Sequence, residues 1–282
     1  MKTIGFVDYY LDEWHANNYP RWIRESEFAG RFDVTLAWQE IQPAGKRTLE
    51  EWCREQQVTP AASLAQVVEE CDCLVVLSPD NPERHEDLCD RPLRSGKPVY
   101  VDKTFAPDLA TAKRLFAKAE RHGTPMYSTS ALRYVENLEQ VLQEFASAHV
   151  DFVATRGPGE WGNYAVHQLE PLVMLLGVGA TRVMSVGNEQ ARSLVVDYPE
   201  GRRGHLLQTA DHPFGFTVQC GGRTRTIDDL GDFFPRFLAA MLAFFENGEV
   251  PVLKEQTLET MALLEAGAAA RRSPDTWVAV PK

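Results

Sequence analysis

The sequence predicts an α/β unit with a parallel sheet, followed by an α+β unit whose sheet is mainly antiparallel. Three observations carry this. Short apolar runs alternate with amphipathic stretches of helix length as far as residue 130. From residue 182 to 227, strand-like runs follow one another with only turns between them. At 282 residues the chain is long enough for two modest cores. The division is expected near residue 130, giving units 1–130 and 131–282.

In the first half, Lys2–Asp8 reads as the first strand. Asn18 with Pro20 offers a helix start, because proline suits the first helical position. Phe32–Trp38 reads as the second strand. Thr48-Leu49-Glu50-Glu51 has the form of a capping box and opens a helix to about Gln57. Ser63-Leu64-Ala65-Gln66 is a second box, opening a helix that ends near Glu70. Cys73–Leu77 is strongly apolar, the pattern of a buried parallel strand. A helix is expected from there to Ser95, stopped by Gly96, and then a strand at Pro98–Val101. Asp108 caps a helix that Gly123 ends, and Pro125–Thr129 gives one more strand. Such alternation implies right-handed crossovers and a Rossmann-like parallel sheet with helices on both faces.

The second half opens with a helix near Tyr134–Phe145, a strand at Val150–Arg156 and a helical stretch over Tyr164–Leu176. Strands are then expected at Arg182–Asn188, Ser193–Tyr198, His205–Thr209, Gly215–Cys220 and Thr224–Ile227. Pro199-Glu200-Gly201 and Gly221-Gly222 mark turns between them. Consecutive strands without intervening helices imply antiparallel pairing. Helices near Phe233–Phe245 and Leu258–Ala270 and a strand at Trp277–Val280 close the chain.

A formal charge of −11 argues against nucleic acid and against anionic membrane surfaces, since the summed field repels phosphates. A local basic cleft for a small anion remains compatible with it. No apolar run spans a bilayer, and the first strand begins without an apolar leader, so a cytoplasmic protein is expected. The cysteines number five, an odd count with no Cys-x-x-Cys pair. Buried reduced thiols are expected, and no metal.

The first strand–helix turn decides whether a dinucleotide's diphosphate can dock, because glycines there let the backbone approach the phosphates. Here Gly5 lies inside the strand, and Asp8-Tyr9-Tyr10-Leu11-Asp12-Glu13-Trp14 follows. Asp8, Asp12 and Glu13 would repel a diphosphate. After the second strand, Glu40 is the acid placed to hold a ribose. Lys103 ends an apolar strand and precedes a Pro-Asp helix start, on the edge where open parallel sheets bind ligands.

These stretches resemble the Gfo/Idh/MocA family, the group of glucose–fructose oxidoreductase and inositol dehydrogenase. That family has a strand ending in Thr-Pro-Asn-x-x-His, then Gly-Lys-His-Val, then Glu-Lys-Pro. Ser78-Pro79 and His85 match with two extra residues between them, and Gly96-Lys97 keeps the family's distance from His85. Asp102-Lys103-Thr104 stands for Glu-Lys-Pro, without the proline. Tyr127–Tyr134 is similar to the strand that follows and its arginine, Arg133. Asn163-Tyr164-Ala165-Val166-His167-Gln168-Leu169-Glu170 stands where the family has Asp-x-Gly-x-His-x-x-Asp. The closing helices from Phe234 to Val280 are also similar. The resemblance covers nearly the whole chain, though Met1–Glu70 matches in rhythm only.

The resemblance implies hydride transfer between NAD or NADP and a sugar- or cyclitol-like hydroxyl. It makes His167 the general base, Lys103 a donor to the substrate oxygen, and Asn163 the replacement for the family's carboxylate. It places Asp8, Glu40, Ser78, Pro79, His85 and Asp102 at the cofactor, and Arg133, Tyr164 and Glu170 at the substrate. A histidine suits a general base because its pKa lies near neutrality, whereas Asn163 takes no proton. Trp161, Tyr164 and Arg156 are candidates to line a polyol pocket. A homodimer or larger homo-oligomer is also implied. The unusual first turn and Asn163 support a second reading, a family member that has lost dinucleotide binding and acts as a ligand-binding or regulatory protein. Glu40 favours NAD, while Lys46-Arg47 would suit the extra phosphate of NADP.

Overall fold

The computed structural model describes residues 1–145 and 150–282. The chain runs β1 (Lys2–Asp8), α1 (Trp14–Glu25), β2 (Phe32–Gln39), α2 (Leu49–Gln56), β3 (Thr59–Pro60), α3 (Leu64–Glu70) and β4 (Cys73–Val76). It continues through α4 (His85–Leu88), β5 (Val99–Val101), α5 (Leu109–His122), β6 (Met126–Ser128), α6 (Glu136–Glu144), β7 (Val150–Gly157) and α7 (Trp161–Tyr164). Then come α8 (Val166–Leu176), β8 (Arg182–Gly187), β9 (Ala191–Asp197), β10 (Arg203–Thr209), β11 (Gly215–Cys220) and β12 (Arg223–Ile227). The last elements are α9 (Phe233–Asn247), α10 (Lys254–Arg272) and β13 (Trp277–Ala279). Residues 1–129 and 235–253 form one compact unit, and residues 130–234 and 254–282 form another.

The first unit holds a six-stranded sheet in the order β3-β2-β1-β4-β5-β6, with every pair parallel. The fold class expected for this half therefore stands. β1 lies between β2 and β4, so the strand order reverses beside it and opens a crevice at the carboxyl ends of β1 and β4. Gly5 serves packing: a Cβ there would lie 2.3 Å from Val67 Cγ1, so its absence lets α3 close onto β1. Thr48 and Glu51 form the expected capping box, Asp108 caps α5, and Gly123 ends α5 in the left-handed region.

Three expectations fail here. α1 begins at Trp14, not near Asn18, because Glu13 caps it, and Pro20 sits within the helix on its buried face. The single helix expected before Ser95 is broken into 3-10 turns at Pro82–Arg84 and Pro92–Arg94 around the four residues of α4. Each break starts at a proline, which lacks the N–H a continuing helix needs. The segment 235–253, left with the second half by the division near 130, belongs to the first unit. Its Phe237 packs on Tyr19 and Tyr100, with centroids 5.7 and 5.5 Å away, and Phe244 meets Tyr127 edge-on at 4.9 Å.

The second unit holds a seven-stranded sheet in the order β12-β11-β7-β10-β9-β8-β13. It is mainly antiparallel, as expected, except that β7 and β10 pair parallel. The chain leaves β7 through α7 and α8, and this crossover returns it in the same direction. Burial alternates along β7, β9 and β10, the pattern of a sheet with one covered face. α8 and α10 cover that face. Gly204 of β10 admits α8, since a Cβ there would lie 2.7 Å from Leu172 Cδ1. All five cysteines are buried.

Candidate functional site

Four loops meet at the carboxyl edge of the parallel sheet. Asp8 ends β1 and is 1% exposed. Its Oδ1 accepts from Tyr10 N at 3.3 Å, while Oδ2 is buried without a hydrogen-bond partner. Burial, and then the charge of Glu13, raises its carboxyl well above the ordinary carboxylate range. Asp102, after β5, accepts from the Tyr100 hydroxyl at 3.0 Å, and its Oδ2 likewise lacks a hydrogen bond. His15 lies beside both acids, with Nδ1 3.1 Å from Glu13 Oε2 and 3.6 Å from Asp102 Oδ2. Burial pushes His15 down, but Asp102 and Glu13 together outweigh it and hold the imidazole above its usual value. Lys103 is 8% exposed, and among the described residues its ammonium has a hydrogen bond to the Pro79 carbonyl alone, at 3.5 Å.

The loop after β4 is fixed by two devices. Ser78 holds φ at +82°, a conformation costly for a residue with a Cβ, and its Oγ donates to the Asn81 carbonyl at 3.2 Å. His85 is fully buried, with Nε2 2.6 Å from the Leu77 carbonyl and Nδ1 3.0 Å from the Phe105 carbonyl. It ties the loop after β4 to the loop after β5. Its placement at the cofactor is thereby corrected: both ring nitrogens face protein carbonyls, and no ring surface is left for a ligand.

Around the first turn, the chain satisfies its own polar groups. The Glu13 carboxylate accepts from His15 N, at 2.7 Å, and from Ala16 N, which are the first-turn amides of α1. Arg47 joins Asp12, Asn17 and Glu55, and its hydrogen bonds hold the Asp12 carboxyl down to about 2. Glu40 pairs with Arg84, at 2.6 Å.

In the second unit, His167 lies in the first turn of α8. Its Nδ1 is 2.7 Å from Ser130 Oγ, and its ring meets Tyr164 and Phe214 edge-on, each with centroids 5.8 Å away. Phe214 reaches it across Gly157, where a Cβ would lie 2.4 Å from the phenyl ring. Glu170 is buried one turn on, accepts from Ser130 N, and lies 3.9 Å from Arg133 Nη1. Arg133 also donates to Gln256. Arg133, Tyr164, His167 and Glu170 are thus brought together around Ser130, a residue the sequence did not single out. Two pocket candidates have other duties. Arg156 pairs with Asp228 at 2.6 Å, and Trp161 packs on Gly267 while its Nε1 donates to the Leu264 carbonyl. Among the described residues, no group of three or more His, Cys, Asp and Glu is placed to hold a metal ion, and no helix is long and apolar enough to cross a membrane.

A parallel sheet in this strand order, with polar groups gathered at its switch point, defines a Rossmann-type nucleotide-binding unit. Residues 16–130 match the model of the oxidoreductase family with an NAD-binding Rossmann fold, GFO_IDH_MocA. Over those residues the chain is similar to the Gfo/Idh/MocA oxidoreductases. The match begins just past His15, so the first turn lies outside it. No curated protein matches the sequence. Among solved structures, the chain is similar to GenD2 from gentamicin A biosynthesis in complex with NAD, with a TM-score of 0.82 at 12% identity over 100% of this chain and 97% of that one. It is equally similar to myo-inositol dehydrogenase from Lactobacillus casei in complex with NAD(H) and myo-inositol, with a TM-score of 0.82, 12% identity, and 100% and 97% coverage. The apo scyllo-inositol dehydrogenase of the same organism follows at 0.79 and 13%, covering 99% and 98%. At these identities the likeness is one of fold.

The family implies a nicotinamide dinucleotide, and the residues present answer differently at its two ends. At the carboxyl ends of β4 and β5, the Asp102 oxygen that makes no hydrogen bond among the described residues and the thinly bound Lys103 ammonium leave polar capacity that suits a ribose or carboxamide. At the N-terminus of α1, the amides that usually take the diphosphate already hold Glu13. The nicotinamide end fits. The usual diphosphate seat is filled by the protein itself. Glu13 and His15 were legible only as a repulsive acid and an unremarked histidine, although an acid directly ahead of a helix is a capping signal.

Proposed function

We propose that the protein is an NAD(P)-dependent oxidoreductase acting on a hydroxyl of a small sugar- or cyclitol-like molecule. The observation that carries this reading is Lys103, a nearly buried ammonium at the carboxyl end of β5 with a single long hydrogen bond among the described residues, inside a segment that matches the family's NAD-binding fold. A bound nicotinamide would supply or accept the hydride. In this reading Lys103 is a donor to a substrate oxygen, and His167 is the group suited to exchange a proton, through Nε2, its ring steadied at Nδ1 by Ser130. Asn163 orients but takes no proton. Glu170 holds Ser130 and Arg133 in place, and Tyr164 offers an aromatic face, 42% exposed, to a polyol. Ser78, Pro79 and Asp102 hold the nicotinamide end, with Asp8 beneath them.

Glu40 would reach a ribose by leaving Arg84. NAD is the preferred cofactor in this reading, since Arg47 already serves three partners and Lys46 donates to the Asp12 carbonyl at 2.9 Å. A cytoplasmic homo-oligomer completes the proposal. The uncovered face of the second unit's sheet supports it, carrying half-buried Phe152, Met184, Val195 and Leu207.

Titration with NADH and NADPH, followed by quenching of tryptophan fluorescence, tests the reading. Saturable binding with a preference for NADH is expected, and Lys103→Ala should abolish turnover without loss of fold. No saturable binding at millimolar cofactor removes the dehydrogenase reading and leaves a ligand-binding role.

A further inference from the structure

The second unit carries another cluster that this chemistry does not use. Gly157, Gln208, Arg192 and Gly187 are aligned across β7, β10, β9 and β8, one from each strand, at one end of the sheet. Alternation with the buried Thr155, Leu206 and Leu194 puts this row on the helix-covered face. The two glycines contribute no side chain, and the place of a Cβ at Gly157 is taken by the Phe214 ring, so the polar groups of the row are Gln208 and Arg192. Arg271, in the last turn of α10, reaches the same place, its guanidinium 5.2 Å from the Trp161 ring.

Two adjoining depressions, of about 230 and 320 Å³, share Arg192, Arg271 and Glu189 in their walls. Neither arginine is in an ion pair or side-chain hydrogen bond among the described residues. Gln208 lines the larger depression, is 5% exposed, and has both its carboxamide oxygen and nitrogen buried without a partner. A buried carboxamide lacking both bonds is costly unless something else supplies them. Partial burial, and then the charge of Arg192, pushes the Arg271 guanidinium down, while Glu160 counters this. The pair of cations is thus held close at its own expense.

We propose that this trough is a binding site for a small hydroxylated carboxylate, such as a sugar acid. Arg192 and Arg271 take the carboxylate, as guanidiniums do through paired N–H groups. Gln208 donates to one hydroxyl and accepts from another, which neither an inorganic anion nor a hydrocarbon acid provides. Glu160 and Glu189 at the rim offset part of the positive charge without pairing with either arginine, so the trough favours one compact negative charge over a polyanion. The site adjoins the His167 cluster through Phe214 and Tyr164 but uses none of its polar groups, and it does not rest on the cofactor reading.

Calorimetric titration of the full chain with D-gluconate, inorganic phosphate and myo-inositol tests the proposal. Saturable binding of D-gluconate is expected, with phosphate weaker and myo-inositol absent from this site. Arg192→Ala and Arg271→Ala should each weaken D-gluconate about tenfold or more, the loss of a charge-assisted hydrogen bond. Gln208→Leu should weaken it too while leaving the melting temperature unchanged or higher, because it removes an unsatisfied polar group. His167→Ala should leave the binding intact. No binding at tens of millimolar, or binding insensitive to all three trough variants, overturns the proposal. Loss of binding in His167→Ala assigns the ligand to the other cluster and overturns it equally.

Discussion

Glu13 caps α1 with a side chain one methylene longer than the aspartate usually found there. Glu13→Ala is expected to cost about 1 kcal/mol, read as a lower urea midpoint. It should also tighten NADH binding, because the amides of His15 and Ala16 become available to a phosphate. An unchanged Kd for NADH would place the diphosphate away from α1. Asp8 makes a second prediction at this scale. Its raised carboxyl pKa means that the folded chain keeps a proton which the unfolded chain releases above about pH 4. That contribution to stability is present at low pH and is lost as pH rises towards the folded value. His15, also raised, acts in the same direction: its contribution is full below about pH 6.5 and is lost as pH climbs through the folded value. The melting temperature of Asp8→Asn should therefore gain on that of the parent as pH rises from about 5 to about 8. A constant difference across that range would show that Asp8 titrates alike in both states.

At the scale of elements, what was legible in the sequence was what local chemistry decides. Thr48 with Glu51, Asp108 and Gly123 act on their own neighbours, and each bounds its helix where the sequence placed it. The start of α1 was missed because Pro20 is a strong local signal, while the buried face of Ala16, Tyr19 and Ile23 belongs to tertiary packing. The parallel pairing of β7 with β10 was illegible for a similar reason, since strand direction depends on the intervening crossover rather than on the strand. At the site, Lys103 and His167 could be picked out by motif, but Ser130, which holds His167, and Gln256, which holds Arg133, lie 37 and 123 residues from their partners. Gly5 shows how one position carries an element contact. Gly5→Ala should destabilise by about 1–3 kcal/mol as the new methyl group drives α3 off β1. In a Val67→Ala background the same change should cost clearly less, as measured by a double-mutant cycle of urea midpoints. Equal costs in both backgrounds would mean that α3 moves freely.

At the scale of the whole molecule, the chain builds its nucleotide-binding unit in two instalments. The parallel sheet is complete by β6, yet one of its aromatic surfaces is covered only when α9 arrives. Tyr19, Tyr100 and Tyr127 meet Phe237 and Phe244 there, and Lys2 Nζ donates to the Phe245 carbonyl at 2.7 Å. A fully buried phenylalanine contributes roughly 1.5–3 kcal/mol relative to exposure, and a domain's whole stability is only about 5–15 kcal/mol. Removing α9 therefore takes away a large share of what holds the first unit. A fragment of residues 1–130 is expected to keep its far-UV circular dichroism, lose its near-UV signal and bind an apolar dye, as expanded states with exposed apolar surface do. Joining residues 235–253 to that fragment through a flexible linker should restore the near-UV signal and a cooperative melt. If residues 1–130 alone melt cooperatively and ignore the dye, α9 is an accessory to a unit that is already stable, and the division near residue 130 read from the sequence is sufficient for folding.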